Sequence, residues 1–323
     1  MRAPVLTALL GIALFACMDA VMKGQSIALG ALAALLWRSV YGLAGTAALF
    51  AGQRRRWPPR ARIVLHVKRS LAAAASILLF FWGLARTPMA EAVALTFLAP
   101  LAAAFLAALL LGERLRPGAI GGSLLALAGV GVMLAAKEQA AETMPPDYRG
   151  AAAILIASLL YAYNLVLLRR SAQAADPVEI TLFTNLVMLA SFTAVALLAA
   201  LAAKVPLPVG DDALAEVARD GLAWIRSLAF RWPVGAGWGW LALAAALQIT
   251  SSMLLSRAYA HAEAQTLAVT EYSAFLWAAL LGWIVYREPL ALGTVAGAAL
   301  IVAGCVLATR GKRAPAVQTE AAL

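Results

Sequence analysis

Seven side chains in this sequence could do polar chemistry from within otherwise apolar stretches: Asp19, Arg38, Tyr161, Asn164, Gln248, Glu271 and Tyr272. A charge at the centre of a bilayer-spanning helix costs roughly 2.5–3.5 kcal/mol on insertion scales, so Arg38 and Glu271 each require a partner or a function. Both lie about ten residues into their apolar runs, which at about 1.5 Å per residue puts them near the midplane of a core about 30 Å thick. Arg38 would bind a carboxylate, and Glu271 would face an ammonium group or exchange a proton, a combination that suits a zwitterion. Two alternatives stay open. One is a permanent buried ion bridge that sets helix packing; the other is that the two never meet, since equal depth says nothing about rotation around each helix axis.

Gln248 also falls near mid-span, while Asn164 and Asn185 fall nearer one face, and each serves either as a ligand contact or as interhelical glue. Asp19 sits near the outer end of the first run with Lys23 one turn on, which fits an i,i+4 pair, a simple interface charge or a substrate contact. Trp82, Tyr161, Tyr163, Tyr272 and Trp277 are candidate pocket aromatics, but only Tyr161 and Tyr272 lie deep enough; the others read as interface anchors. Pro100 inside the fourth run removes one backbone hydrogen bond and predicts a kink or hinge.

The elements that must position these groups follow from composition. The chain of 323 residues is 63% hydrophobic and 13% charged, too apolar to hide its residues in a water-soluble core. Apolar runs broken by charge, Pro or Gly place spans at residues 4–22, 28–52, 70–86, 89–112, 117–136, 150–168, 178–203, 238–256, 262–286 and 289–309. The formal charge of +10 comes from basic residues at the ends of these runs, a topology signal and not a nucleic-acid face. With Arg54 to Arg69, Arg114, Arg116, Arg169, Arg170, Arg257 and Arg310 on one side, both termini are expected to be cytoplasmic. The opening apolar run is followed by Asp19 and Lys23 without a small-residue cleavage site, so it reads as a retained first span. The loop 204–237 is expected outside, with a surface amphipathic helix capped by Asp211, and the tail 310–323 is expected to be disordered. Cys17 and Cys305 both fall in apolar runs and read as packing residues.

Two segments are copies. Gly112-Glu113-Arg114-Leu115 precedes Gly118, Gly122 and Gly129, and Arg287-Glu288-Pro289-Leu290 precedes Gly293, Gly297 and Gly304, at a constant offset of about 175 residues. Phe97, Ala99 and Leu101 pair with Tyr272, Ala274 and Leu276 at the same offset. The repeat units are residues 4–136, holding spans one to five, and 150–309, holding spans six to ten. An odd number of spans per unit makes the second enter from the opposite face, the inverted repeat of secondary transporters. The small-xxx-small pairs Gly118/Gly122 and Gly293/Gly297 predict close backbone packing.

Trp82-Gly83-Leu84-Ala85-Arg86-Thr87-Pro88, Ala99-Pro100-Leu101 and Leu111-Gly112-Glu113-Arg114-Leu115 in the first half resemble EamA-type members of the drug/metabolite transporter superfamily. So do Arg257-Ala258-Tyr259-Ala260, Glu271-Tyr272 and Arg287-Glu288-Pro289 in the second half. The resemblance implies an all-α membrane protein of ten transmembrane helices, two inverted five-helix repeats around a central cavity, with both termini inside. It does not name a substrate.

His66 and His261 both fall at loop edges, and there is no nucleotide-binding glycine loop, paired-histidine zinc motif or nucleophile elbow. An enzyme, an ATP-driven pump, a metal and a cofactor are therefore not expected. The expected function is a secondary carrier of a small organic solute, amino acids or their derivatives first, in the cytoplasmic membrane, with protons as a candidate coupling ion and lipid as its surroundings. The competing expectations are a non-transporting scaffold or sensor and, among carriers, uptake of a vitamin or methyl donor.

Overall fold

A computed structural model describes residues 2–52, 57–111, 117–139, 148–174, 177–202, 204, 222, 231–261 and 273–309. Among the described residues the regular structure is helical, with no strand. The helices are α1 (Arg2–Leu29), α2 (Ala31–Gly52), α3 (Arg60–Leu84), α4 (Met89–Thr96), α5 (Leu98–Leu111), α6 (Pro117–Gln139), α7 (Tyr148–Ala174), α8 (Pro177–Ala202), α9 (Gly237–His261), α10 (Ser273–Tyr286) and α11 (Leu292–Thr309). Among the described residues, five segments are long and apolar enough to cross a membrane: Leu6–Leu29, Ala31–Gly52, Arg60–Leu84, Val178–Ala202 and Gly237–Leu255. Met89–Ala103, Ile120–Met133, Ser273–Tyr286 and Leu292–Gly304 are apolar but shorter. Leu109, Leu198, Trp283 and Leu292 point outward, exposed, while the interior is filled by small residues such as Ala33, Ala34, Ala92 and Ala94. An apolar exterior over an alanine-rich interior is the pattern of helices that meet lipid outside and one another closely inside.

Local chemistry sets the breaks. Gly30 takes a φ of +86° between α1 and α2, a conformation that side chains resist and glycine adopts freely. Pro59 precedes α3, its carbonyl accepting from the Arg62 and Ile63 N–H groups. Helix α3 therefore starts about ten residues earlier than the apolar run alone predicts. Arg60, Arg62, His66, Lys68 and Arg69 are helical and not in a connection, and His66 and Arg69 are buried. The expectation of His66 at a loop edge is corrected with them: Ile63, Val64, Leu65 and Val67 interleave with the basic residues and carry the helix through.

The span expected at 89–112 is two helices meeting at Phe97. Proline at position 100 has no N–H to offer the carbonyl of Thr96, and the helix breaks one residue later. Pro88 stands before α4, where its carbonyl accepts from the Ala92 N–H at 2.9 Å.

Helices α6 and α11 pack antiparallel through their glycines. A Cβ on Gly129 would stand 2.6 Å from the Gly297 carbonyl oxygen, and one on Gly304 would stand 2.4 Å from that of Gly122. Helices α3 and α7 approach equally closely, where a Cβ on Gly83 would lie 2.6 Å from the Gly150 oxygen. The other main neighbours are α1 with α9, α2 with α8, α3 with α8 and α2 with α9. Hydroxyls stitch these contacts: Ser76 donates to the Ala157 carbonyl at 2.8 Å, and Ser158 to the Ile154 and Leu95 carbonyls. The amphipathic segment around 211–228, the tail 310–323 and the motif residues Glu113 and Arg114 lie outside the described residues.

Candidate functional site

A cavity of about 400 Å³ opens between α1, α2, α3, α4, α7, α8 and α9. Five of the seven polar candidates line it: Asp19, Arg38, Tyr161, Asn164 and Gln248. The other two, Glu271 and Tyr272, lie outside the described residues. A second lobe of about 340 Å³, lined partly by α4 and α10, shares Phe15, Asp19, Phe80, Thr96 and Tyr161 with the first.

Arg38 is 2% exposed. Its Nη1 lies 3.7 Å from the Met18 sulfur and its guanidinium 5.8 Å from the Phe81 ring centre, while Nε and Nη2 have no hydrogen-bond partner among the described residues. Asp19 lies within Coulombic reach of Arg38. These contacts correct the i,i+4 expectation for Asp19, because Lys23 points the other way and pairs with Glu288. Four residues rise about 6 Å along α1, so the two side chains leave the helix at different depths, Asp19 at the cavity and Lys23 where it reaches Glu288 in the connection between α10 and α11.

A second guanidinium completes the site. Arg69, 4% exposed, donates to the Thr184 hydroxyl, to the Ile180 carbonyl at 3.4 Å and to Asn164 Oδ1 at 3.5 Å, and its Nε is unpartnered among the described residues. Thr184 passes its own proton to the Ile180 carbonyl at 2.6 Å, which leaves its oxygen lone pairs for Arg69. Sequence reasoning missed Arg69 because it was counted with the loop charges. The apolar residues that interleave with the charges from Ile63 onward were the signal that would have placed it on a helix. Gln248 Oε1 is likewise unpartnered among the described residues. The remaining wall is mostly apolar, with Phe15, Ile77, Phe80 and Met188, and carries the hydroxyls of Ser76, Thr96 and Ser158. Small-molecule sites have this form, a mostly apolar concavity with a few aimed polar groups.

Other candidates fall elsewhere. Asn185 is fully buried against Gly42 and does not line the cavity. Trp82 lies under Arg86, 3.9 Å from its guanidinium, and Tyr163 and Trp277 are exposed.

Two polar clusters stand beyond the cavity, toward opposite ends of α3. Near its C-terminal end, Lys23 binds Glu288 and donates to the Thr87 carbonyl at 2.7 Å, and Glu288 Oε2 accepts the Met89 N–H at 2.8 Å. Tyr286 donates to the Ala20 carbonyl. Arg287, with φ of +56°, turns the chain so that the Glu288 N–H reaches the Gly282 carbonyl at 3.1 Å. A non-glycine residue held at positive φ costs about 1–2 kcal/mol, a strain retained where it aims a functional side chain. Near the N-terminal end of α3, Glu179 accepts from His66 Nε2 at 3.0 Å and pairs with Arg62 at 3.5 Å. His66 stacks on Phe183.

Comparison with known proteins agrees with this architecture. The pseudopaline exporter CntI of Pseudomonas aeruginosa, in strains UCBPP-PA14 and PAO1, is 26% identical over 319 residues, covering 97% of this chain and 98% of the exporter. A solved crystal structure matches with a TM-score of 0.58 at 21% identity, covering 96% of this chain and 97% of that one, a likeness of fold. The EamA-like transporter family matches residues 2–135 and 221–310. With apolar helices around a polar cavity, the chain belongs to the EamA-like transporter family and is a multi-pass membrane transporter.

Proposed function

We propose that this transporter is a secondary carrier that moves an amino-acid-derived solute across the cytoplasmic membrane by alternating access, through the cavity between Asp19, Arg38 and Arg69. The observation that carries the proposal is the pair of buried guanidinium groups with unpartnered N–H donors on one cavity wall system. Uncompensated buried donors are expensive, and a carboxylate-bearing solute relieves them. Asp19 supplies the complementary site for an ammonium group.

The carrier has ten spans, arranged as inverted repeats over residues 4–136 and 150–309, with both termini cytoplasmic. The neighbour pattern supports this. The glycine contacts 129 with 297 and 122 with 304 exchange with each other under the offset of about 175 residues that relates the repeats. The two end clusters support alternating access, since each joins an element of the first repeat to one of the second: Lys23 to Glu288, and Arg62 and His66 to Glu179. Breaking one cluster while keeping the other would open the cavity to one side only. Export is the direction that the relative's name supports. Protons are a candidate coupling ion, with Glu271 a candidate carrier of the exchanged proton.

Counterflow of labelled amino acids, methyl donors and vitamins in proteoliposomes, with and without a pH gradient, tests the proposal. Saturable exchange of amino-acid derivatives supports it, and pH dependence adds the proton. Saturable movement of vitamins or methyl donors alone would reject the solute class, and failure of a pooled cytosolic metabolite extract to exchange would reject the carrier mechanism.

A further inference from the structure

Charge balance within the cavity narrows the solute further, on the assumption that the cavity is the transport site as proposed above. Among the described residues lining it there are two guanidinium groups, Arg38 and Arg69, and one carboxylate, Asp19. The guanidiniums enter from opposite ends: Arg38 lies on the N-terminal part of α2, which begins beside the C-terminal end of α1, whereas Arg69 lies on the N-terminal part of α3. Each is at least 96% buried by its own surface, and each keeps at least one unpartnered N–H. Uncompensated charge so deeply buried is costly unless the occupant neutralises it. A neutral zwitterion or a monocarboxylate answers one guanidinium only, although the monocarboxylate balances the charge sum, and a simple dicarboxylate leaves Asp19 unanswered.

We infer that the solute carries two carboxylates and one ammonium group, an amino dicarboxylate or a larger compound presenting the same three charges, with Arg38 and Arg69 each taking one carboxylate and Asp19 the amine. A volume of about 400 Å³ equals about thirteen waters at about 30 Å³ each, ample for such a solute. Asn164, which receives an Arg69 N–H, and Gln248, whose Oε1 has no partner among the described residues, supply further polar contacts.

The test uses the full-length protein in proteoliposomes, with labelled L-glutamate as the probe and competition by unlabelled glutamine, glutarate and alanine. Glutamate should exchange, and both glutamine, which lacks one carboxylate, and glutarate, which lacks the amine, should compete at least tenfold more weakly. Arg69→Gln should bring glutamate and glutamine to parity, and Asp19→Asn should bring glutamate and glutarate to parity. Arg69→Lys guards against misfolding, since it keeps the charge and should keep the preference with weaker binding. Equal or better competition by alanine or glutamine in the wild type would overturn the inference, place the balancing carboxylate elsewhere, at Glu271 for one, and leave the carrier proposal standing. No movement of glutamate, while the pooled metabolite extract does exchange, would also overturn the inference alone. No exchange of either would remove the carrier proposal first.

Discussion

Replacing Glu288 by Gln should loosen the end of the cavity that Lys23 and Glu288 close. The Lys23 side chain is 5% exposed and that of Glu288 18%, so the charge left on Lys23 stays buried with the Thr87 carbonyl at 2.7 Å and the Glu91 carboxylate within Coulombic reach. Removing one partner of a fully buried pair costs about 3–5 kcal/mol. Glutamine retains an oxygen for the Met89 N–H, and the partial exposure of Glu288 admits water, which brings the cost down to about 2 kcal/mol, the value of a charged hydrogen bond. At about 1.4 kcal/mol per tenfold change, that loss raises the population open at this end about thirtyfold. The assay places a reporter by Thr87→Cys in a background without Cys17 and Cys305, and follows its reaction with a membrane-impermeant thiol reagent from each side of the membrane. The rate should rise about thirtyfold from the extracytoplasmic side and stay constant from the other. Adding Lys23→Met should recover part of the loss, because no unpaired ammonium is left buried. An unchanged rate in Glu288→Gln, or a double variant more reactive than the sum of the two single ones, would refute the closure by this pair.

Three other outcomes are expected. Gly304→Ala brings a Cβ to 2.4 Å from the Gly122 oxygen and 2.9 Å from the Ala126 nitrogen, both backbone atoms that cannot rotate away, and should destabilise the protein by about 1–3 kcal/mol, read as a lower melting temperature in detergent. Glu179→Gln removes the carboxylate shared by His66 and Arg62, and should raise thiol labelling from the cytoplasmic side, opposite to the Glu288 variant. Arg38→Ala deletes a cavity-lining guanidinium whose Nε and Nη2 have no hydrogen-bond partner among the described residues and should lower the rate of solute exchange at least tenfold, while the melting temperature holds.

The sequence by itself determined the membrane class and singled out five of the polar residues that line the cavity. Membrane class follows from composition, because lipid demands long apolar runs whatever the tertiary arrangement. Glu113, Leu115, Gly118, Gly122 and Gly129 recur as Glu288, Leu290, Gly293, Gly297 and Gly304 at constant offset, and the isolated polar residues Asp19, Arg38, Tyr161, Asn164 and Gln248 stand out because a lipid-facing helix would not keep them. Tertiary structure decided which of these meet and which charges leave the loops. Arg69 and His66 sit among other basic residues, where a hydropathy pattern cannot tell a first helical turn from a connection, and only the helix beginning at Arg60 turns them inward. Lys23 stood one turn from Asp19, yet its partner is Glu288, 265 residues away. Local spacing predicts only neighbours on one helix, whereas a partner on another helix is chosen by packing. The break at Phe97 was foreshadowed by Pro100, and the antiparallel seating of α6 on α11 by their glycines. Proline and glycine act through the backbone itself, so their consequences are written locally, while the pairing of long charged side chains depends on where the backbones have already come to rest.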